Sequence, residues 1–278
     1  MKKALSLILA LLICLSLCAC ANDQVILPPD YTFPQTSTSD TTTDPSENAE
    51  LEQETSNNAY NVLYGKSLIC LGDSITYGSG LEDTSKVWGN LIAQRNEMDF
   101  TNAGISGSTM GESVDGEDRN ACYKNGRYLA VEGHDYALIW FGWNDHAFCE
   151  LGTYDGTDET TTLVAYRLTL EYILQNYPET KVGVIIPYLW ERNVDPQGHT
   201  DMEMLNGIKE VCEQYGVPYL DLPQSNFLPS WGSDCPHTSE VRPIWEKRQE
   251  VFTSDGLHPN EKGHEYLSTM IEDFLRSL

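Results

Sequence analysis

Beyond residue 60 the chain alternates short apolar runs with longer segments whose apolar positions share one face, a rhythm that predicts strands separated by helices. Ser67–Leu71 and Tyr136–Phe141 are continuous apolar runs, as expected of strands covered on both sides. Asp99–Ala103, Val182–Ile186 and Tyr219–Leu222 read as three more strands. Val87–Arg95 places Val87, Trp88, Leu91 and Ile92 at helical spacing, and Thr161–Tyr177 does the same with Leu163, Val164, Leu168, Ile173 and Leu174 until Pro178 ends it. Met202–Tyr215 reads as a helix closed by Gly216. A last helix begins near Asn260 and puts Leu267, Met270, Ile271, Phe274 and Leu275 on one face. Strands alternating with helices imply crossovers, hence an α/β class with a parallel sheet between helical layers. In such sheets ligands gather at the carboxyl ends of the strands.

The pattern before residue 60 is different. Met1-Lys2-Lys3 precedes an apolar run from Ala4 to Ala19 broken only by Ser6 and Ser16, which reads as a secretory signal too short for a comfortable bilayer span. It ends in Leu17-Cys18-Ala19-Cys20. That tetrapeptide resembles a bacterial lipobox, which implies lipidation of Cys20; an uncleaved signal anchor is the alternative. From Ala21 to Asn58 the chain carries eight acidic residues and no Lys or Arg, with many Thr, Ser and Pro. Such a segment cannot offset its ordering entropy, so a disordered tether spanning roughly 35 Å is expected. The expected organisation is a signal peptide at 1–20, a tether at 21–59 and a folded domain at 60–278. The protein would then be exported and held on the outer face of the cytoplasmic membrane through a lipid anchor alone.

A formal net charge of −25 argues against nucleic acid as a partner and favours neutral substrates. Of the eight cysteines, Cys70, Cys122, Cys149, Cys212 and Cys235 lie beyond the signal. An odd number at irregular spacing gives neither a disulfide framework nor a zinc pattern, and no pairing follows from it. Cys70, inside an apolar run, reads as a small buried hydrophobe. No His-Glu-x-x-His, P-loop or dinucleotide glycine pattern occurs, so neither metal nor cofactor is expected.

Four short motifs carry the chemistry: Gly72-Asp73-Ser74, Asn102-Ala103-Gly104-Ile105-Ser106-Gly107, Gly142-Trp143-Asn144-Asp145 and Asp255-Gly256-Leu257-His258-Pro259. The first three follow expected strands. A serine at a strand-to-helix turn exposes both its hydroxyl and its backbone N–H, as a nucleophile that also helps bind an oxyanion would, although an ordinary helix cap reads the same way. An acid three residues before a histidine can reach back to the ring Nδ1–H, fix the tautomer and leave Nε2 to take a serine proton. Asn144 can offer an amide N–H to an oxyanion, or can be a turn-forming Asn-Asp. Gly104 and Gly107 compete for a backbone N–H in the same role. The lipase elbow Gly-x-Ser-x-Gly is absent.

In that order the four motifs resemble the sequence blocks of the SGNH hydrolases, also called the GDSL esterase/lipase family. The resemblance spans about Lys66 to Leu278. It implies Ser74, Asp255 and His258 as the catalytic triad, and Ser74, Gly107 and Asn144 as the oxyanion hole, family spacing favouring Gly107 over Gly104. It also implies a flavodoxin-like three-layer α/β/α sandwich with a five-stranded parallel sheet. Two departures stand out. Ile75 replaces the leucine after the serine, and a long segment before Asp255 contains Phe227, Trp231, Cys235, His237 and Trp245. Trp143, Trp231 and Trp245 are candidates to stack on sugar rings, Tyr188-Leu189-Trp190 should approach the rim, and His146 is a candidate pocket residue. His264 reads as structural.

The expected activity is a serine esterase working through an acyl-enzyme. An exported, acidic esterase with tryptophans near its site is expected to remove acetyl groups from carbohydrate outside the cell. The alternatives are a lysophospholipase or thioesterase, or a non-catalytic glycan-binding lipoprotein.

Overall fold

Successive residues of β1 (Ser67–Gly72) feed two different cores, which is the period-2 geometry of a strand covered on both faces. Leu68 and Cys70 pack with Leu138 and Trp140 of β3 (Tyr136–Trp140) on one side. Ile69 and Leu71 pack with Ala137 and Ile139 on the other. The computed structural model describes residues 61–188, 197–225, 227–228 and 242–278, so the expected signal, lipobox and tether lie outside the described residues.

β1, β2 (Asp99–Gly104), β3, β4 (Lys181–Ile186) and β5 (Tyr219–Asp221) form one parallel sheet in the order β2-β1-β3-β4-β5. This is the flavodoxin-like order, with its switch point between β1 and β3. The polar, largely exposed sequence of β2 is explained by its place at the sheet edge.

One face is covered by α4 (Thr162–Asn176) and α5 (Asp201–Tyr215), which contribute Tyr166, Leu170, Ile173, Leu205, Ile208 and Val211. The other is covered by α2 (Trp88–Asn96) and α7 (Glu261–Ser277), through Trp88, Ile92, Leu267, Ile271 and Leu275. Each such buried side chain contributes on the order of 1.5–3 kcal/mol of transfer free energy. α5 begins at a capping box in which Thr200 and Glu203 satisfy one another's backbone N–H groups. The expected helix and strand boundaries agree with these within a residue or two.

Beyond the short helix α1 (Ser74–Tyr77) that follows the serine turn, two helices were not foreseen: α3 (Trp143–Phe148) and α6 (Arg242–Phe252). α3 is too short to show a repeating apolar face, and α6 is densely charged. Gly72 pairs with Gly104 on one side and Trp140 on the other, so β1, β2 and β3 end at one level. The segments that follow them emerge side by side.

Candidate active site

At the end of β1, Asp73 takes the cap of α1 by accepting the Ile75 N–H at 3.0 Å. The cap is therefore Asp73, and Ser74 is the first helical residue with its hydroxyl free for other work. The Gly72 carbonyl accepts from Ile105 N at 3.1 Å, Ser108 Oγ at 3.1 Å and Arg127 Nη2 at 2.9 Å. These bonds stitch the serine turn to the segment after β2. Burial pushes the Asp73 carboxyl up to about 7 against the Ile75 N–H bond.

His258 stands two residues before Asn260, whose side chain caps α7 by accepting the Gly263 N–H at 3.1 Å. The same asparagine donates to the carbonyls of Val251 and Thr253, and Ser254 N donates to His258 O at 2.8 Å. The histidine loop is thus closed on itself and anchored to a core helix. The Asp255 carboxylate accepts the backbone N–H of Leu257 at 3.0 Å and of His258 at 2.8 Å. Its second oxygen accepts the His258 Nδ1–H at 2.7 Å. That leaves Nε2 as an acceptor, and it lies 3.0 Å from Ser74 Oγ. Partial burial would raise the Asp255 carboxyl, but the bonds from the His258 ring and from the two backbone N–H groups outweigh it and hold the group below its ordinary value.

Gly104 and Gly107 are separated by what surrounds them. The Gly104 N–H is engaged by Asn102 Oδ1 at 3.0 Å, and a methyl there would lie 2.3 Å from the Tyr77 backbone nitrogen. Gly104 is therefore a close-packing glycine. Gly107 has φ +77°, faces open space and lines the cavity in front of Ser74. Asn144 lies in the first turn of α3 and donates one amide hydrogen to Ser108 O at 2.9 Å, which orients the side chain and keeps the second hydrogen for the cavity.

Ser74, Gly107, Asn144 and His258 line a single cavity of about 270 Å³, with Ile75, Trp143 and Leu257 as its apolar walls. Asp255 stands behind His258. Such an arrangement can activate a hydroxyl for attack on a carbonyl and meet the developing oxyanion with N–H donors.

Other expected residues fall elsewhere. His146 does not line the cavity; it is buried and pairs with Asp201 at 3.1 Å, because α3 turns that position inward. His264 is buried in α7, and its Nδ1 accepts the Trp88 N–H at 3.4 Å. Cys70, Cys122, Cys149 and Cys212 are buried free thiols, and burial pushes the Cys70 thiol up to about 12. Cys20, Leu189, Trp190, Trp231, Cys235 and His237 lie outside the described residues, as does the side chain of Trp245. Among the described residues there is no group of three or more acidic, His or Cys side chains suited to a metal.

Sequence reasoning missed three supports. Asp145, buried at 1% exposure, accepts the Met110 and Gly111 N–H groups and so ties α3 to the Gly107 segment. Arg127 donates to the carbonyls of Gly72 and Ala103 at the ends of β1 and β2. Tyr188, just past β4, donates its buried hydroxyl to Leu257 O at 2.8 Å and so pins the histidine loop. Asp145 had a signal in its place in the third motif, and Tyr188 in its position just past a strand at the rim, whereas Arg127 had none.

Residues 70–266 match the GDSL-like lipase/acylhydrolase family. No curated protein matches the chain. Among solved structures, a protein from Lactobacillus plantarum is 25% identical with a TM-score of 0.60, the match covering 77% of this chain and 98% of that one. A "possible lipase" from Chitinophaga pinensis DSM 2588 is 20% identical with a TM-score of 0.58, over 76% of this chain and 98% of the other, a likeness of fold.

Proposed function

The chain belongs to the GDSL-like lipase/acylhydrolase family and is a carboxylic ester hydrolase; on that premise we propose that it is a serine esterase that removes acetyl groups from carbohydrate outside the cell. Ser74 is the nucleophile, His258 the general base and Asp255 the carboxylate that orients it. The N–H groups of Ser74, Gly107 and Asn144 form the oxyanion hole.

The observation that carries this reading is the unbroken contact chain from Asp255 through His258 to Ser74 Oγ. As Ser74 Oγ bonds to the carbonyl carbon, its proton passes to His258 Nε2 and the carbonyl oxygen takes the negative charge. Collapse of this intermediate breaks the bond to the alcohol, which leaves with the proton from His258. Water, deprotonated by the same imidazole, then releases the acid and restores Ser74.

The acyl preference rests on cavity size. At about 270 Å³ the cavity in front of Ser74 has room for a short acyl group such as acetyl. The acidic chain supports a neutral alcohol, while Trp143, expected as a stacking face, is buried at 8% exposure in the core and exposes little of its ring to the cavity. The proposal includes export and lipid attachment at Cys20, supported by the apolar run after Lys2-Lys3 and the acidic segment that follows. The test is release of the free acid measured side by side, acetate from acetylated xylan and acetylated peptidoglycan and fatty acid from long-chain acyl esters. Rates at least tenfold higher on one of the acetylated glycans are expected, and faster turnover of the long-chain esters would overturn the substrate assignment.

A further inference from the structure

The cavity contains two hydroxyls that the triad and the oxyanion hole do not use. Ser79 Oγ and Ser106 Oγ lie 2.7 Å apart, one just beyond α1 and the other in the segment after β2, and both line the cavity. One hydroxyl donates to the other, which leaves the accepting partner's hydrogen and unused lone pairs on both oxygens free to meet a ligand. Ser106 is exposed and Ser79 half-buried, so neither is committed to the interior.

Their position relative to His258 decides which part of an ester they meet. Ser79 N donates to Ser74 O at 2.9 Å, which fixes this segment against the nucleophile turn. Gly80 packs on the histidine loop so closely that a methyl on it would lie 3.0 Å from His258 Cβ and 2.6 Å from Ser254 Oγ. Because His258 must hand its proton to the departing alkoxide, the alcohol of the ester sits on the imidazole side of Ser74. Ser79 therefore borders the alcohol rather than the acyl group.

We infer that Ser79 and Ser106 form a subsite for the alcohol half of the substrate, one that takes a polyhydroxylated ring. A pyranose offers adjacent hydroxyls to the serine pair. A simple alkyl alcohol engages neither hydroxyl. This inference rests on the deacetylase reading and extends it by naming the residues that select the sugar.

The experiment compares kcat/KM on acetylated xylobiose with kcat/KM on ethyl acetate, in the wild type and in Ser79→Ala and Ser106→Ala. Active-serine titration with a fluorophosphonate sets the enzyme concentration in each case. The wild type is expected to favour the sugar ester. The ratio of the two kcat/KM values should fall about five- to tenfold in each serine variant, mostly through KM, as the loss of a hydrogen bond made to the alcohol predicts. A wild-type preference that survives both substitutions overturns the subsite and leaves the deacetylase reading standing. A wild-type ratio near one overturns both.

Discussion

His258 Nε2 lies 3.0 Å from Ser74 Oγ although the two residues are 184 positions apart in the chain. Neither residue fixes that distance alone. Ser74 is held by the end of β1 and the Asp73 cap, while His258 is held by the Asp255 carboxylate, the cap of α7 and the Tyr188 hydroxyl. Each of these supports can be removed separately, and each removal has its own signature.

Asp255→Asn should lower kcat on an aryl acetate by about 10³- to 10⁴-fold with little change in KM. The amide would favour the wrong imidazole tautomer and no longer stabilise the imidazolium. Steady-state kinetics at pH 8 check this. A loss smaller than fivefold would mean that another group orients the ring.

Asn144→Ala should cost about 10²- to 10³-fold in kcat, since a donor aimed at the oxyanion acts mainly in the transition state. KM should change by less than threefold. A loss confined to KM would show that Asn144 binds the ground state only.

Tyr188→Phe removes the hydroxyl that the Leu257 carbonyl accepts, at 2.8 Å. Folding stability should fall by about 1 kcal/mol, and kcat several-fold, because the histidine loop loses an anchor. Urea unfolding paired with kcat tests both parts. Lower stability with unaltered kcat would place the bond outside the positioning of His258.

His264 supplies a pH signature. Burial pulls its imidazole from its ordinary 6.5 down to about 4, so the folded chain keeps it neutral where the unfolded chain protonates it. Stability from the neutral ring is thus fully present above pH 6.5. It is lost as pH falls from 6.5 towards 4, by about 3 kcal/mol in total. His264→Met should flatten the decline of the urea midpoint between pH 7 and pH 5, and an unchanged slope would contradict the assignment.

The covering helices were legible because their apolar positions repeat at helical spacing, and the central strands because they are continuous apolar runs. Leu68, Ile69, Cys70 and Leu71 are the clearest case, apolar throughout because alternate residues enter different cores. Ser74, Gly107, Asn144, Asp255 and His258 were legible as motifs placed after strands or before a helix, and they meet as that placement requires. What the pattern could not carry were single side chains that act across the fold. Tyr188 and Arg127 sit outside every motif, and only the strand order brings them to Leu257 O and Gly72 O. His146 was misjudged for a related reason: its nearness in sequence to Asn144 suggested the cavity, but the unforeseen helix α3 turns it towards Asp201.

The most direct measurement is turnover of an aryl acetate by Ser74→Ala, with thermal unfolding recorded to confirm that the variant folds. Loss of kcat by a factor on the order of 10⁴ to 10⁶, at an unfolding temperature close to that of the wild type, is the predicted result. Turnover within tenfold of the wild type in the folded variant would contradict the assignment of Ser74 as the nucleophile.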